Sequence, residues 1–132
     1  MSQGRRSLRR QAVFVLYRQD LLSLSVDEAL ARIEDDKVDP YIIEMVHGVA
    51  AKGTEIDQLL KEHISGWSVQ RLGTLERAIL RVAVFEMLWT QDVPTAVAID
   101  EAVVLAKKYC SDEAGALVNG VLGSLAKDVS SD

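Results

Sequence analysis

The stretch LERAILRVAVFEML, residues 75–88, constrains the fold more strongly than any other part of the sequence. When it is wound at roughly 100° per residue, its apolar side chains cover more than half of the circumference of a helix. A helix that is apolar on most sides has to be buried, so other elements must pack around it. We therefore predict that residues 75–88 form the central helix of the fold. Its polar edge carries Glu76, Arg77 and Arg81, which we expect to be solvated, with docking against a partner as the alternative.

Apolar residues at helical spacing also occur along most of the remaining chain, and only two prolines interrupt it. This pattern predicts an all-α fold of about six to seven helices. The length of 132 residues indicates a single domain that can bury a sufficient core without disulfides or metal ions.

Local signals place the first two helices. Ser25 and Glu28 have the spacing of a capping box, which predicts a second helix from Val26 to about Asp35. The first helix begins at a group of arginines, and its predicted core stripe consists of Leu8, Ala12, Val15 and Leu16.

The next helix is predicted to begin at Asp39 and Pro40, which have the pattern of an N-cap followed by a first helical residue. Its apolar stripe continues to about residue 64 and favours one long helix. Gly53 lies on this stripe, so we expect close helix packing there, although a break near Thr54 is the alternative. Residues 65–72 are predicted to form a turn and a short helical piece.

Two more helices are predicted to follow the central one. The first ends in Lys107 and Lys108, whose charges suit the negative C-terminal end of a helix. Ser111 can cap the second, which carries Asp112 and Glu113 in its first turn, where the helix dipole favours acidic residues.

The arginines at the start of the first helix break a local rule. Arg5 and Arg9, and likewise Arg6 and Arg10, stand four residues apart, where like charges cost roughly 0.2–0.5 kcal/mol per pair. They also lie at the positive end of the helix dipole. If a polyanion binds across this turn, the clustered arginines and the helix dipole both interact favourably with it. Tyr17 would supply an aromatic ring on the adjoining sector of the helix. A solvated, frayed terminus with Tyr17 in the core is the alternative.

The distribution of charge supports a localised anion site. The whole chain has a net charge of −5, but residues 1–18 contain five arginines and no acidic residue. The remainder contains 10 Lys and Arg against 20 Asp and Glu, a net charge of −10. One basic end on an acidic body predicts a local anion site rather than a general DNA-binding surface.

Several classes of protein are not supported by the sequence. A single cysteine, Cys110, excludes an internal disulfide and fits a reducing compartment. No run of 18 apolar residues or signal-peptide pattern is present, so we expect a cytoplasmic protein without membrane contact. His47 and His63 fall on different faces of their predicted helix, and no Ser–His–Asp grouping or glycine-rich phosphate loop is found. We therefore expect no catalytic residues, no metal and no cofactor.

Four stretches, taken in order, give the chain its resemblance to a known family. These are RRSLRRQAVFVLY, LGTLERAILRVAVFEM, DVPTAVAIDEAVVLAKKY and LVNGVL, which together span most of the sequence. In this order they resemble the transcription antitermination factor NusB family. The resemblance implies a single RNA-binding domain over residues 1–132, built as two helical subdomains of about 1–65 and 66–132 that share one core, and no enzymatic activity.

The resemblance also implies partners. Members of this family bind the boxA element of nascent ribosomal RNA transcripts as single-stranded RNA, usually with NusE, a small-subunit ribosomal protein. The complex assembles on RNA polymerase with other Nus factors, in the bacterial cytoplasm.

Site residues can be carried over by position. The resemblance implies that Glu113 modulates RNA binding and that Glu76 and Arg77 contact NusE. Arg10 stands where relatives often have an acidic residue, so this first helix is more basic and is expected to bind RNA more tightly or less selectively. Cys110 replaces a frequent glycine, which affects the placing of Tyr109. The RNA-binding residues implied by the resemblance are Arg5, Arg6, Arg9, Tyr17, Lys107, Lys108 and Tyr109, and the charge pattern of the first helix adds Arg10.

Two alternatives remain at this point. The first is a self-associating module whose basic helix is covered in a homodimer, where acidic residues of a second subunit would pair with the arginines. The second is an RNA-targeting domain of an RNA methyltransferase, which we disfavour because the sequence ends at Asp132 without room for a catalytic domain.

Overall fold

The computed structural model describes residues 4–33, 38–64 and 72–130, and these form seven α-helices without a β-strand. The predicted all-α fold is therefore confirmed. None of these helices is long and apolar enough to cross a membrane. The helices are α1 Arg5–Leu21, α2 Val26–Ala31, α3 Pro40–Ala51, α4 Gly53–His63, α5 Thr74–Trp89, α6 Thr95–Tyr109 and α7 Asp112–Ser130.

The central helix is α5, as the sequence predicts. It packs against α1, α3, α4, α6 and α7, and its buried residues run from Ala78 to Glu86 with a single gap at Arg81. The polar edge differs from the prediction. The Arg77 guanidinium lies 2.8 Å from the Asp20 carboxylate, and Arg81 donates to both carboxylate oxygens of Asp57 at 2.9 Å. The expectation of a solvated edge is wrong for these two arginines, because carboxylates of α1 and α4 dock against them.

Helix α1 buries a wider face than its predicted stripe. The four predicted core residues are buried, and Val13 and Arg9 are buried with them. The wider buried face follows from the packing of α1 against three helices, α2, α3 and α5, and Arg9 reaches Glu86 of α5.

The capping box of α2 forms as predicted. The Ser25 hydroxyl accepts the Glu28 N–H at 3.1 Å, and the Glu28 carboxylate accepts the Ser25 N–H at 3.0 Å. The helix ends at Ala31, earlier than predicted, since Arg32 already donates its N–H in a tighter turn to Ala29. The predicted end at Asp35 lies outside the described residues.

The single long helix predicted from Pro40 to residue 64 is wrong. Lys52 leaves helical geometry at φ −100° and ψ 11°, and it separates α3 from α4. The two segments bury their stripes against different neighbours, since α3 packs on α1 and α5 whereas α4 packs on α5 and α7. A break lets both stripes reach the core. Gly53 begins α4 with open space around its Cα, so the predicted close packing there is also wrong.

Helices α6 and α7 form an extensive helix pair joined by a short turn. The Ser111 hydroxyl accepts the Ala114 N–H at 3.0 Å, which confirms the predicted cap. This pair and α1 both pack on α5, so the core extends across the whole described structure. The division into subdomains at about residue 65 stays a prediction.

We predict opposite effects of two glycine-to-alanine substitutions. A Cβ at Gly48 of α3 would overlap the Phe85 ring of α5, whereas a Cβ at Gly120 of α7 would meet no atom within 4 Å. Both changes gain about 1 kcal/mol of helix propensity. Overpacking costs about 1–3 kcal/mol. Gly48→Ala should therefore lower the free energy of unfolding by roughly 1 kcal/mol, and Gly120→Ala should raise it, as measured by urea denaturation. Equal gains at both positions would contradict the close α3–α5 contact.

Candidate functional site

Arg9 forms a buried ion pair instead of facing solvent. Its residue exposure is 4%, and it donates from Nε and Nη2 to the two Glu86 carboxylate oxygens at 2.5 and 2.8 Å. The Tyr41 hydroxyl donates to the same carboxylate at 3.2 Å. The structure therefore corrects the expected placement of Arg9, whose charge is already used within the core.

The surroundings fix the charge states of this cluster. Burial by itself lowers the pKa of Arg9, but the hydrogen bonds and negative charge of Glu86 outweigh it and raise the pKa. Burial and the nearby Glu86 charge raise the pKa of Tyr41 to about 12. Arg9 is therefore permanently cationic and Tyr41 is neutral over the physiological range.

The other N-terminal arginines differ from one another. Arg6 contacts the Glu101 carboxylate at 2.8–2.9 Å, and its side chain is 80% exposed, so part of its guanidinium faces solvent. Arg5 lies 3.9 Å from Asp92. Within the described residues, no carboxylate lies within 4.0 Å of Arg10. The repulsion inferred from spacing is thus relieved at three of the four arginines by acidic residues distant in sequence.

An aromatic cluster joins α1 to the end of α6. The Phe14 ring contacts Tyr109 edge to face at a centroid distance of 5.0 Å and Tyr17 at 6.3 Å. The ammonium group of Lys108 lies 5.3 Å from the centre of the Tyr109 ring. The structure therefore brings the two predicted parts of the site onto one surface. We call Phe14, Tyr17 and Tyr109 the aromatic cluster; Phe14 was not predicted.

The turn between α6 and α7 completes this surface. Lys107, Lys108 and Glu113 are exposed, and the aliphatic stem of Lys107 passes over Gly115, where a Cβ would overlap it. Lys108 consequently lies beside the exposed Tyr109 ring, whereas the Lys107 side chain packs over Gly115 of α7.

Glu76 and Arg77 have contacts within the chain. A Glu76 carboxylate oxygen accepts the Gly73 N–H at 2.5 Å and so caps the start of α5. Burial, followed by the nearby Glu76 carboxylate, raises the pKa of the Cys110 thiol to about 11. Since Arg77 pairs with Asp20, both predicted partner-binding residues stabilise the fold, and their role toward a partner stays a prediction.

A Ser–His–Asp grouping that sequence spacing did not indicate lies between α4 and α7. His63 Nδ1 is 2.8 Å from the Ser124 hydroxyl, and its Nε2 is 3.2 Å from the Asp128 carboxylate. Ser124 lies inside α7, where its N–H is part of the helix and cannot help form an oxyanion hole. The grouping therefore connects two helices. No cluster of potential metal ligands occurs in the described part of the chain.

Signals for the buried pair exist in the sequence, but they are indirect. Val13 follows Arg9 by four residues, which puts an apolar side chain on the same face of α1. Glu86 is a lone acidic residue near the end of the apolar run of α5. A lone charge on an apolar face needs a partner, but spacing alone does not identify it.

Comparisons with known proteins agree with this architecture. A model of the NusB family matches residues 6–127. The transcription antitermination protein NusB of Exiguobacterium sp. is 41% identical over 125 residues, covering 94% of this chain and 98% of the relative. The structure of T. maritima NusB superposes with a TM-score of 0.87 at 31% identity, covering 97% of this chain and 94% of that one. A crystal structure of antitermination factors NusB and NusE in complex with double-stranded RNA gives a TM-score of 0.82 at 30% identity and covers 97% and 99%.

We predict strong non-additivity at the buried ion pair. Arg9→Met leaves the Glu86 charge without its partner in the core and should cost about 3–5 kcal/mol of unfolding free energy. Arg9→Met combined with Glu86→Leu removes both charges and should cost only about 1 kcal/mol, for the hydrogen bond lost by Tyr41. Urea denaturation of the single and double variants measures the coupling. Additive costs would contradict a direct, desolvated pair.

Cys110 should react slowly with thiol reagents. With a pKa of about 11 instead of the ordinary 9, its thiolate fraction at pH 8 falls about 100-fold, and alkylation by iodoacetamide should slow accordingly. Because the raised pKa keeps the thiol protonated, the rate should rise with pH up to about 11. The urea-unfolded chain provides the reference rate, and Glu76→Gln should speed the reaction of the folded chain. Equal rates in folded and unfolded chains would contradict this environment.

Proposed function

This chain belongs to the NusB family, and we propose that it is a transcription antitermination factor that binds boxA-type RNA of nascent ribosomal RNA transcripts together with NusE. The observation that carries the proposal is the joining of the basic start of α1 to the end of α6 through the aromatic cluster. Cations beside exposed rings are what single-stranded RNA recognition requires, because phosphates orient the strand and splayed bases stack.

We assign different roles to the residues of this surface. Arg9 and its partner Glu86 hold α1 against α5 and do not contact RNA, whereas Tyr17 and Tyr109 offer rings for bases. The phosphate-binding residues in this proposal are Arg5, Arg6, Arg10, Lys107 and Lys108.

Arg6 can serve the fold and the RNA together. Its Nε and one Nη2 hydrogen are directed at Glu101, and the guanidinium has five N–H donors in all. The high exposure of the side chain leaves the other donors open to a phosphate. Glu113 is exposed in the first turn of α7, and its negative charge would repel a phosphate bound nearby and so weaken binding.

NusE and the transcription complex are the proposed protein partners. A relative of similar fold has been solved with NusE and double-stranded RNA, which supports a joint RNA-binding unit. Glu76 and Arg77 on the edge of α5 are the proposed NusE contacts. We propose assembly on RNA polymerase with other Nus factors in the bacterial cytoplasm, without enzymatic activity or a cofactor.

Self-association is the second candidate, and one observation favours it. Helix α6 exposes apolar side chains next to the proposed RNA surface, with Val97 at 43%, Val104 at 54% and Tyr109 at 38% exposure. Val97 and Val104 lie on the same side of α6, and a homodimer that covered them and also reached Tyr109 at the end of the helix would compete with RNA.

We predict selective, salt-dependent binding of RNA. Fluorescence anisotropy should show tighter binding of a single-stranded boxA-like RNA than of a scrambled RNA or a duplex, and NusE should increase the difference. Three or four phosphate contacts at about −0.7 each predict a slope of log affinity against log salt of roughly −2 to −3. Tyr109→Leu should cost roughly 1–3 kcal/mol of binding if one base stacks there.

Lys61→Gln on α4, outside the proposed surface, is the control for loss of one positive charge and should change little. A slope near zero, or equal affinity for boxA-like and scrambled RNA with NusE present, would contradict the proposal. Sedimentation of the same samples tests self-association. A stable dimer that stays intact when RNA binds would exclude competition between RNA and the second subunit.

A further inference from the structure

A groove between α1 and the end of α2 lies beside the proposed RNA surface. Its volume is about 670 Å³, and its walls include Arg10, Phe14 and Arg18 of α1 with Arg32 and Ile33 after α2. We call this the arginine groove. Three arginines and one aromatic residue line it, and none of its described lining residues is acidic, although the chain as a whole is acidic.

The arginines of this groove differ from all others that the structure describes. Every other arginine that the structure describes, whether in α1 or in α5, has a carboxylate within 4.0 Å. Across residues 4–33, 38–64 and 72–130, no carboxylate lies that close to Arg10, Arg18 or Arg32. Among the described residues, the other arginines therefore have a carboxylate partner within 4.0 Å and these three do not.

The arginine groove is continuous with the aromatic cluster. Phe14 lines the groove and also contacts Tyr17 and Tyr109. Arg10 and Arg18 lie four residues before and after Phe14, on neighbouring positions of the same helix face. At 1.5 Å per residue they are separated by about 12 Å along α1, a distance over which a strand can present successive phosphates.

We propose that the arginine groove binds the phosphates of the RNA segment that flanks the boxA-like sequence, so that one strand continues from the aromatic cluster along α1 toward α2. The proposal rests on the proposed function. Guanidinium groups suit phosphate because their paired N–H donors match two of its oxygens. Because the phosphate is the same at every nucleotide, this contact adds affinity for longer RNA without adding a preference for particular bases.

RNA is favoured over a second copy of the chain because the groove continues the aromatic cluster, which also offers stacking surfaces. An acidic protein surface would satisfy the charges but would make no use of the Phe14 ring in the groove wall. Docking of a second copy is nevertheless an outcome that the experiment distinguishes.

The test compares two RNAs and two matched double variants. The short RNA contains only the boxA-like sequence, and the long RNA adds unstructured nucleotides on both sides. Arg18→Gln with Arg32→Gln should lower the affinity for the long RNA by roughly tenfold. The slope of log affinity against log salt should become shallower by about 1.4, which corresponds to two lost phosphate contacts. Binding of the short RNA should stay unchanged.

Two further double variants give the controls. Lys52→Gln with Lys61→Gln removes the same number of charges from the region of α4 and should leave both RNAs unaffected. Arg18→Lys with Arg32→Lys keeps the charges and should restore most of the salt slope with part of the affinity. Urea denaturation checks that the variants fold.

The outcomes separate the two proposals. If the unaltered chain binds neither RNA, with or without NusE, the proposed function fails. If it binds both and the glutamine variant binds the long RNA equally well, only the groove proposal is overturned. The groove proposal is also overturned if Lys52→Gln with Lys61→Gln weakens binding of the long RNA equally. A changed monomer–dimer equilibrium of the arginine-to-glutamine variant with unchanged RNA affinity overturns it as well.

Discussion

The fold depends on a pair of opposite charges that must meet inside an apolar core. Arg9 and Glu86 are each costly to bury alone, and only their direct contact, with Tyr41 as a third member, makes the burial tolerable. A one-residue rotation of α1 would separate the charges. The pair therefore sets the orientation of α1 on α5, and with it the side of α1 that faces outward. Arg10 is exposed as a result, whereas Phe14 and Tyr17 are half-buried and Tyr17 packs against the edge of the core.

Periodicity predicted the parts of the fold that depend on local pattern. Helix α5 follows from its own apolar circumference, and the caps at Ser25 and Ser111 follow from residues adjacent in sequence. The break at Lys52 does not, because the apolar stripe runs through it and no proline or cap marks it. The break is explained by tertiary packing, because the first half of the stripe, on α3, packs against α1 and the second half, on α4, packs against α7.

The N-terminal arginines show a similar limit. From the sequence they form one basic group, but the structure divides them. Arg9 is buried, Arg5 and Arg6 are paired at the surface, and Arg10 has no carboxylate within 4.0 Å among the residues that the structure describes. The partners of Arg9 and Arg6 are 77 and 95 positions away, so no local spacing rule identifies them. The contact between Tyr109 and Phe14 likewise depends on tertiary packing. Helices α1 and α6 are brought together because both pack on α5.

The pairing of Arg6 with Glu101 has a consequence for competition inside a cell. Any polyanion that approaches Arg6 meets a guanidinium whose charge is largely balanced by a carboxylate that is only 11% exposed. Such a guanidinium attracts weakly from a distance but still offers directed hydrogen bonds at contact. Polyanions without a matching contact surface, such as transfer RNA, would therefore gain little from Arg6, and long-range attraction is left to the arginines without a nearby described carboxylate.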